Sequence, residues 1–129
     1  MHAPVFYSRR RTARVDTPQG VWVYWRYAGR DDTSRVKNLS VGGLFIETKR
    51  RTILGAITKI DFLVQEGQIR AEGVVKHVEP GRGVGVKFTS VKEADHPILA
   101  ALLTRLRSQE RAVQQNLGRK SFLYREQPV

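Results

Sequence analysis

The chain has 129 residues and no cysteine, with 23 Lys and Arg against 12 Asp and Glu, a formal net charge of +11. One domain of that length buries a sufficient core unaided, and the missing thiols exclude disulfides, thiol catalysis, iron–sulfur clusters and cysteine-based zinc sites. The charge excludes an acidic chaperone or calcium buffer and favours an anionic partner. No apolar run nears the ~20 residues of a membrane span and the N-terminus has no apolar signal core, so a cytoplasmic protein is expected.

Residues 1–8 read as a tail, and 9–19 as an exposed arm carrying Arg9, Arg10, Arg11 and Arg14. From Gly20 the pattern has period two: Val21, Val23, Trp25 and Tyr27 alternate with Trp22, Tyr24 and Arg26, which predicts a strand. That alternation sends one tryptophan into a core and leaves the other outside. Ala28 to Asp32 is a turn cluster, and Thr33 to Leu39 closes a hairpin. After the Gly42-Gly43 break, further strands are expected over Leu44–Thr48, Ile57–Val64, Gln68 to about Val78, and Gly83–Phe88. Six short strands, mostly hairpin-linked, favour closure because closure removes exposed edges. The expected fold is a mainly β, six-stranded antiparallel barrel over 20–89.

The last third changes period. Ser90 to Glu93 has capping-box spacing, and Pro97 suits a first helical turn. Leu99, Leu102, Leu103, Leu106, Val113 and Leu117 recur at helical intervals, with Gly118 placed as a C-terminal cap. This predicts one domain over 9–118, a C-terminal helix over 95–118 and a mobile tail over 119–129. A sparse seam of Leu99, Leu106 and Val113 with a basic flank fits pairing in a homodimer or docking of an acidic partner. The plain alternative is a frayed, solvated helix end.

Catalytic constellations are missing from the sequence. His2, His77 and His96 are scattered, and none has an i+4 partner for a metal. His77, in step with Val75 and Ile69, reads as a half-buried barrel residue. Asp31 and Asp32 sit in a turn. Gly81, Gly83 and Gly85 lead into a strand, whereas a phosphate-cradling loop leads into a helix. The expectation is therefore no enzyme, no catalytic residue, no metal and no cofactor.

Two patches remain. Arg9-Arg-Arg-Thr-Ala-Arg14 alone is a basic arm, and Asn38-Leu-Ser-Val-Gly-Gly43 alone is a strand-end turn. Together, Arg10-x-x-x-Arg14 followed by Asn38-x-Ser40-x-x-Gly43 resembles the signature of PilZ domains, bacterial receptors for the second messenger cyclic di-GMP. Leu44-Phe45-Ile46, the Gly83–Phe88 strand and the terminal helix continue the resemblance, which spans about 8–117. It implies a six-stranded barrel, a ligand-gripping arm over 9–19 and no catalysis. With no output domain read in the sequence, a stand-alone receptor that relays its signal to an effector protein is expected.

It also implies a ligand site of Arg9, Arg10, Arg14, Asn38, Ser40, Gly42 and Gly43. Arginine binds phosphate oxygens or the O6/N7 edge of guanine through paired hydrogen bonds. Asn38 stands where many family members have Asp, and accepts from the guanine edge with one oxygen in place of two. Ser40 bonds the ligand or its own turn, Gly43 provides close approach to the ligand or positive φ, and Gly42 does the same for the turn alone. In the family an arginine at the position of Arg9 goes with two stacked ligands per chain. The alternative reading is a small basic barrel that binds nucleic acid, with Trp22, Tyr24, Trp25 and Tyr27 on one strand as stacking platforms of which alternation exposes at most one tryptophan, or a protein-interaction module.

Overall fold

The computed structural model describes residues 14–126. Its six strands are β1 (Val15–Tyr27), β2 (Arg30–Ser40), β3 (Gly43–Glu47), β4 (Ile57–Leu63), β5 (Arg70–Glu79) and β6 (Gly83–Val91). They close in the order β1-β2-β3-β6-β5-β4, every pairing antiparallel. A 3₁₀ turn, Glu93–Asp95, leads into one helix, α1 (His96–Glu126). Four of the five strand connections join neighbours in the barrel. The connection 48–56 instead crosses the barrel end where β1 stops and β2 begins.

Alternation decides which side chains fill the interior. Val21, Val23, Trp25 and Tyr27 are buried, while Trp22 and Tyr24 on the opposite face are exposed. Trp25 donates its indole N–H to Ser34 at 2.9 Å and stacks on Tyr27 with ring centroids 4.5 Å apart, so its polar edge is satisfied inside the barrel. Leu99, Leu102, Leu103 and Leu106 of α1 complete the same core. The helix thus plugs the barrel end where β1 starts.

Two carboxylate pairs hold the helix there. Asp95, 2 % exposed, accepts from the Arg70 backbone N–H at 2.9 Å and from its guanidinium at 3.0 and 3.1 Å. Glu66, in the β4–β5 turn, accepts two bonds from Arg105 of α1. These direct hydrogen bonds hold both carboxyl groups below their ordinary range.

The structure corrects several expectations. β1 begins at Val15, not Gly20. Val15 and Asp16 pair with Leu39 and Asn38 before a register shift that ends at Val21. Pro18 and Gly20 lie in this irregular stretch, which is why it reads as an arm. The Thr17 hydroxyl and the Arg35 guanidinium brace the irregularity, donating to the carbonyls of Val36 and Thr17 respectively.

His77 is exposed and bonds Glu79 at 3.0 Å. A register shift between Val75 and His77 breaks the alternation that would have turned it inward. Ser90 lies in β6, and the residue capping the 3₁₀ turn is Lys92, with no side-chain cap bond. α1 runs through Gly118 to Glu126. One glycine costs only about 1 kcal/mol in a helix, so the helix does not end at the expected cap and 119–126 continues it. Finally, Leu99 and Leu106 face the barrel, both buried, and cannot form an intermolecular seam.

Candidate functional site at the start of β1

β1 and the end of β2 are neighbours because the β1–β2 turn folds the chain back on itself. Asp16 therefore stands opposite Asn38, and Asn38 in turn opposite Phe45 of β3. Arg14, just before β1, donates from its guanidinium to the Asn38 side-chain oxygen at 2.9 Å. Partial burial lowers the pKa of Arg14, which still leaves a guanidinium charged at neutral pH. The sole side-chain acceptor of Asn38 is thus already engaged by an arginine.

The Ser40–Gly43 turn is held by its own atoms and by β6. The Ser40 hydroxyl donates to the Gly43 carbonyl at 3.3 Å and accepts from the Gly42 N–H at 3.2 Å. The Gly42 carbonyl accepts from the Phe88 N–H at 2.9 Å. Neither Gly42 nor Gly43 has positive φ. A Cβ on Gly43 would stand 2.2 Å from the Val86 carbonyl oxygen, so close passage of β3 over β6 demands glycine here. Gly83, at the other end of the β3–β6 ladder, has the same relation to the Ile46 carbonyl oxygen at 2.2 Å. Both glycines serve strand packing, as expected from the sequence for Gly83 but not for Gly43.

Of the sequence-derived site residues, Arg14, Asn38, Ser40, Gly42 and Gly43 come together at the start of β1. Arg9 and Arg10 lie outside the described residues. Two cations missed by the sequence reading stand nearby. Lys37 lies over the Phe45 ring with its ammonium 5.9 Å from the centroid. Arg35 reaches both the Thr17 carbonyl and, at 3.6 Å, Glu47. Spacing on β2 gave no signal for either, since their role depends on what β1 and β3 bring alongside. Beside them a concavity of about 470 Å³ is lined by residues including Lys37, Phe45, Lys49 and Arg82.

Elsewhere on the outer face, Trp22 is 47 % exposed. The Tyr24 hydroxyl is bonded to Asp31 at 2.6 Å, which raises its pKa, and Asp61 stands opposite Tyr24 on β4. Among the described residues, no group of three or more His, Asp or Glu is placed to hold a metal ion. Among the described residues no helix is long and apolar enough to cross a membrane.

A family model described as the PilZ domain matches residues 8–105. None of the curated proteins compared with the chain matches it. Among solved structures, the Bacillus subtilis inhibitor of motility MotI/DgrA superposes with a TM-score of 0.68 at 18 % identity, covering 80 % of this chain and 53 % of that one. The PilZ domain of Escherichia coli YcgR with c-di-GMP superposes at 0.57 and 19 % identity, covering 85 % and 98 %. Borreliella burgdorferi PlzA in complex with c-di-GMP gives 0.58 at 14 %, covering 77 % and 43 %. The chain thus spans about half the length of MotI/DgrA and less than half of PlzA.

Proposed function

The chain belongs to the PilZ domain family, and from that premise we propose that it is a receptor for cyclic di-GMP that passes the signal to a partner protein without catalysing a reaction. The observation that carries this reading is the 2.9 Å contact between Arg14 and Asn38, which unites the two halves of the motif at one barrel end. There Arg14, with Arg9 and Arg10 of the preceding segment, supplies guanidinium groups for phosphates and guanine edges. Asn38 supplies an acceptor, Ser40 shapes the turn, and Gly42 and Gly43 keep the backbone low beside it. Arg35 and Lys37 add positive potential where a dianion would lie.

The nucleic-acid reading rests on exposed Trp22 and Tyr24, but the Tyr24 hydroxyl is already engaged by Asp31, which also pairs with Arg26 at 2.6 Å, and Asp61 stands opposite Tyr24. Calorimetric titration with cyclic di-GMP, with GTP and a duplex oligonucleotide as controls, tests the proposal. Saturable binding of cyclic di-GMP alone is expected. No heat with cyclic di-GMP would overturn it, and duplex binding that falls steeply with salt would establish the alternative.

A further inference from the structure

At the barrel end away from α1, the β1–β2 turn and the 48–56 connection enclose a recess of about 300 Å³ lined by Tyr27, Ala28, Arg30, Arg51, Ile53 and Ala56. Tyr27 is only 4 % exposed, and its hydroxyl is buried without a hydrogen-bond partner, where buried hydroxyls ordinarily have one. Ala28 holds φ at +49°, the one positive φ outside glycine among the described residues. The two-residue turn between paired Tyr27 and Arg30 requires this of both its residues, Ala28 and Gly29.

The charge at this rim is uncompensated. Arg50 is paired with Asp32 at 3.2 Å, whereas Arg30 and Arg51 form no ion pair among the described residues. Next to them Ile53, Leu54 and Ile57 are exposed by 71, 63 and 70 %. Aliphatic side chains exposed singly are ordinary, but a group of them beside a recess marks an interaction surface.

We propose that this barrel end docks a segment of a partner protein that is acidic and presents one large apolar side chain. The recess is of a size to take a single buried anchor, the two arginines select carboxylates on either side of it, and the exposed aliphatics extend the contact. A second copy of the chain is disfavoured, because a symmetric contact would bring the same guanidinium groups face to face. A small free ligand would leave Ile53, Leu54 and Ile57 uncovered. The docking site lies at the opposite end of β1 from Arg14 and Asn38, so nucleotide and partner can be held together. The inference rests on the relay part of the function proposed above and not on nucleotide binding.

The test is amide NMR of the full chain titrated with a synthetic octapeptide that has Leu-Phe at its centre and Asp and Glu on both sides. Two control peptides carry Lys and Arg flanks, or Ser-Gly at the centre. The acidic apolar peptide alone should shift amides 27–30 and 51–57, saturating near or below about 1 mM. The Arg30→Glu/Arg51→Glu variant should weaken it at least about tenfold. Ile53→Ser, an exposed change that spares the fold, should weaken it as well.

Silence up to about 1 mM, shifts confined to other residues, or an equal response to the basic peptide would overturn the proposal. So would concentration-dependent shifts of the same amides without peptide, which would mark a self-association face. Cyclic di-GMP titrated into a separate sample reports on 38–43. A failure there strikes the receptor reading and leaves the docking result standing.

Discussion

The Arg14 guanidinium donates to the Asn38 side-chain oxygen at 2.9 Å, joining residues 24 apart in sequence where β1 starts and β2 ends. A carboxamide has one acceptor oxygen, so whatever approaches Asn38 must share it with Arg14 or replace it. The pair is therefore a single binding element.

From this coupling, Arg14→Ala and Asn38→Ala should each weaken cyclic di-GMP binding by about 1.5–3 kcal/mol, the range for hydrogen bonds to charged groups. The double variant should lose less than the sum, because either truncation already dismantles the pair. Calorimetry on the four proteins of the cycle gives the coupling. Since the contact is exposed, denaturation midpoints should correspond to stability changes within about 1 kcal/mol.

Arg9 and Arg10 precede the described residues, and their roles come from the family resemblance. A titration of the intact chain should saturate at two cyclic di-GMP molecules, and Arg9→Ala should reduce this to one. Arg10→Ala should lower affinity itself, by a few kcal/mol. Saturation at one ligand, unchanged by Arg9→Ala, would assign Arg9 to solvent.

The barrel was legible because its interior is written as strict alternation, which separated buried Trp25 from exposed Trp22 along one strand. It failed where a bulge inserts residues that alternation cannot count. Pro18 and Gly20 hid the first turn of β1, and the shift after Val75 turned His77 outward. Helical spacing had a different ambiguity. Leu99 and Leu106 fit a seam toward a partner as well as a stripe toward the barrel, and only the closed barrel end decides between them. The binding motif was legible as residue types in order. The reason for Gly43 was not, because it resides in Val86 of a strand far along the chain. The recess around Tyr27 was equally hidden, being assembled from a turn and a distant connection.

Gly43 gives a test that separates packing from ligand contact. A methyl group there would meet the Val86 carbonyl at 2.2 Å, and a backbone atom in a closed ladder cannot step aside like the end of a flexible side chain. Gly43→Ala should therefore destabilise the unliganded protein by about 1–3 kcal/mol, the usual range for overpacking. Urea denaturation without nucleotide measures it. A glycine needed only for ligand approach would leave the unliganded midpoint unchanged.

The clasp between the barrel and α1 carries its own pH signature. Asp95 accepts three hydrogen bonds from Arg70, and those bonds hold its carboxyl below the ordinary range; Glu66 is lowered in the same way by Arg105. A carboxyl with a lower pKa folded than unfolded contributes stability that is complete above the unfolded value of about 4. That contribution is lost as pH falls through the folded value. Stability should thus lose the carboxylate contribution only below about pH 4, where α1, whose Leu99, Leu102, Leu103 and Leu106 close the core, is released. Asp95→Asn keeps an acceptor for the Arg70 N–H but abolishes the charge. It should lower the midpoint at neutral pH and flatten the acid limb of the profile, read by urea denaturation at a series of pH values. An unchanged acid limb in this variant would mean that Asp95 contributes nothing to it and that the pH dependence lies with the Glu66–Arg105 pair.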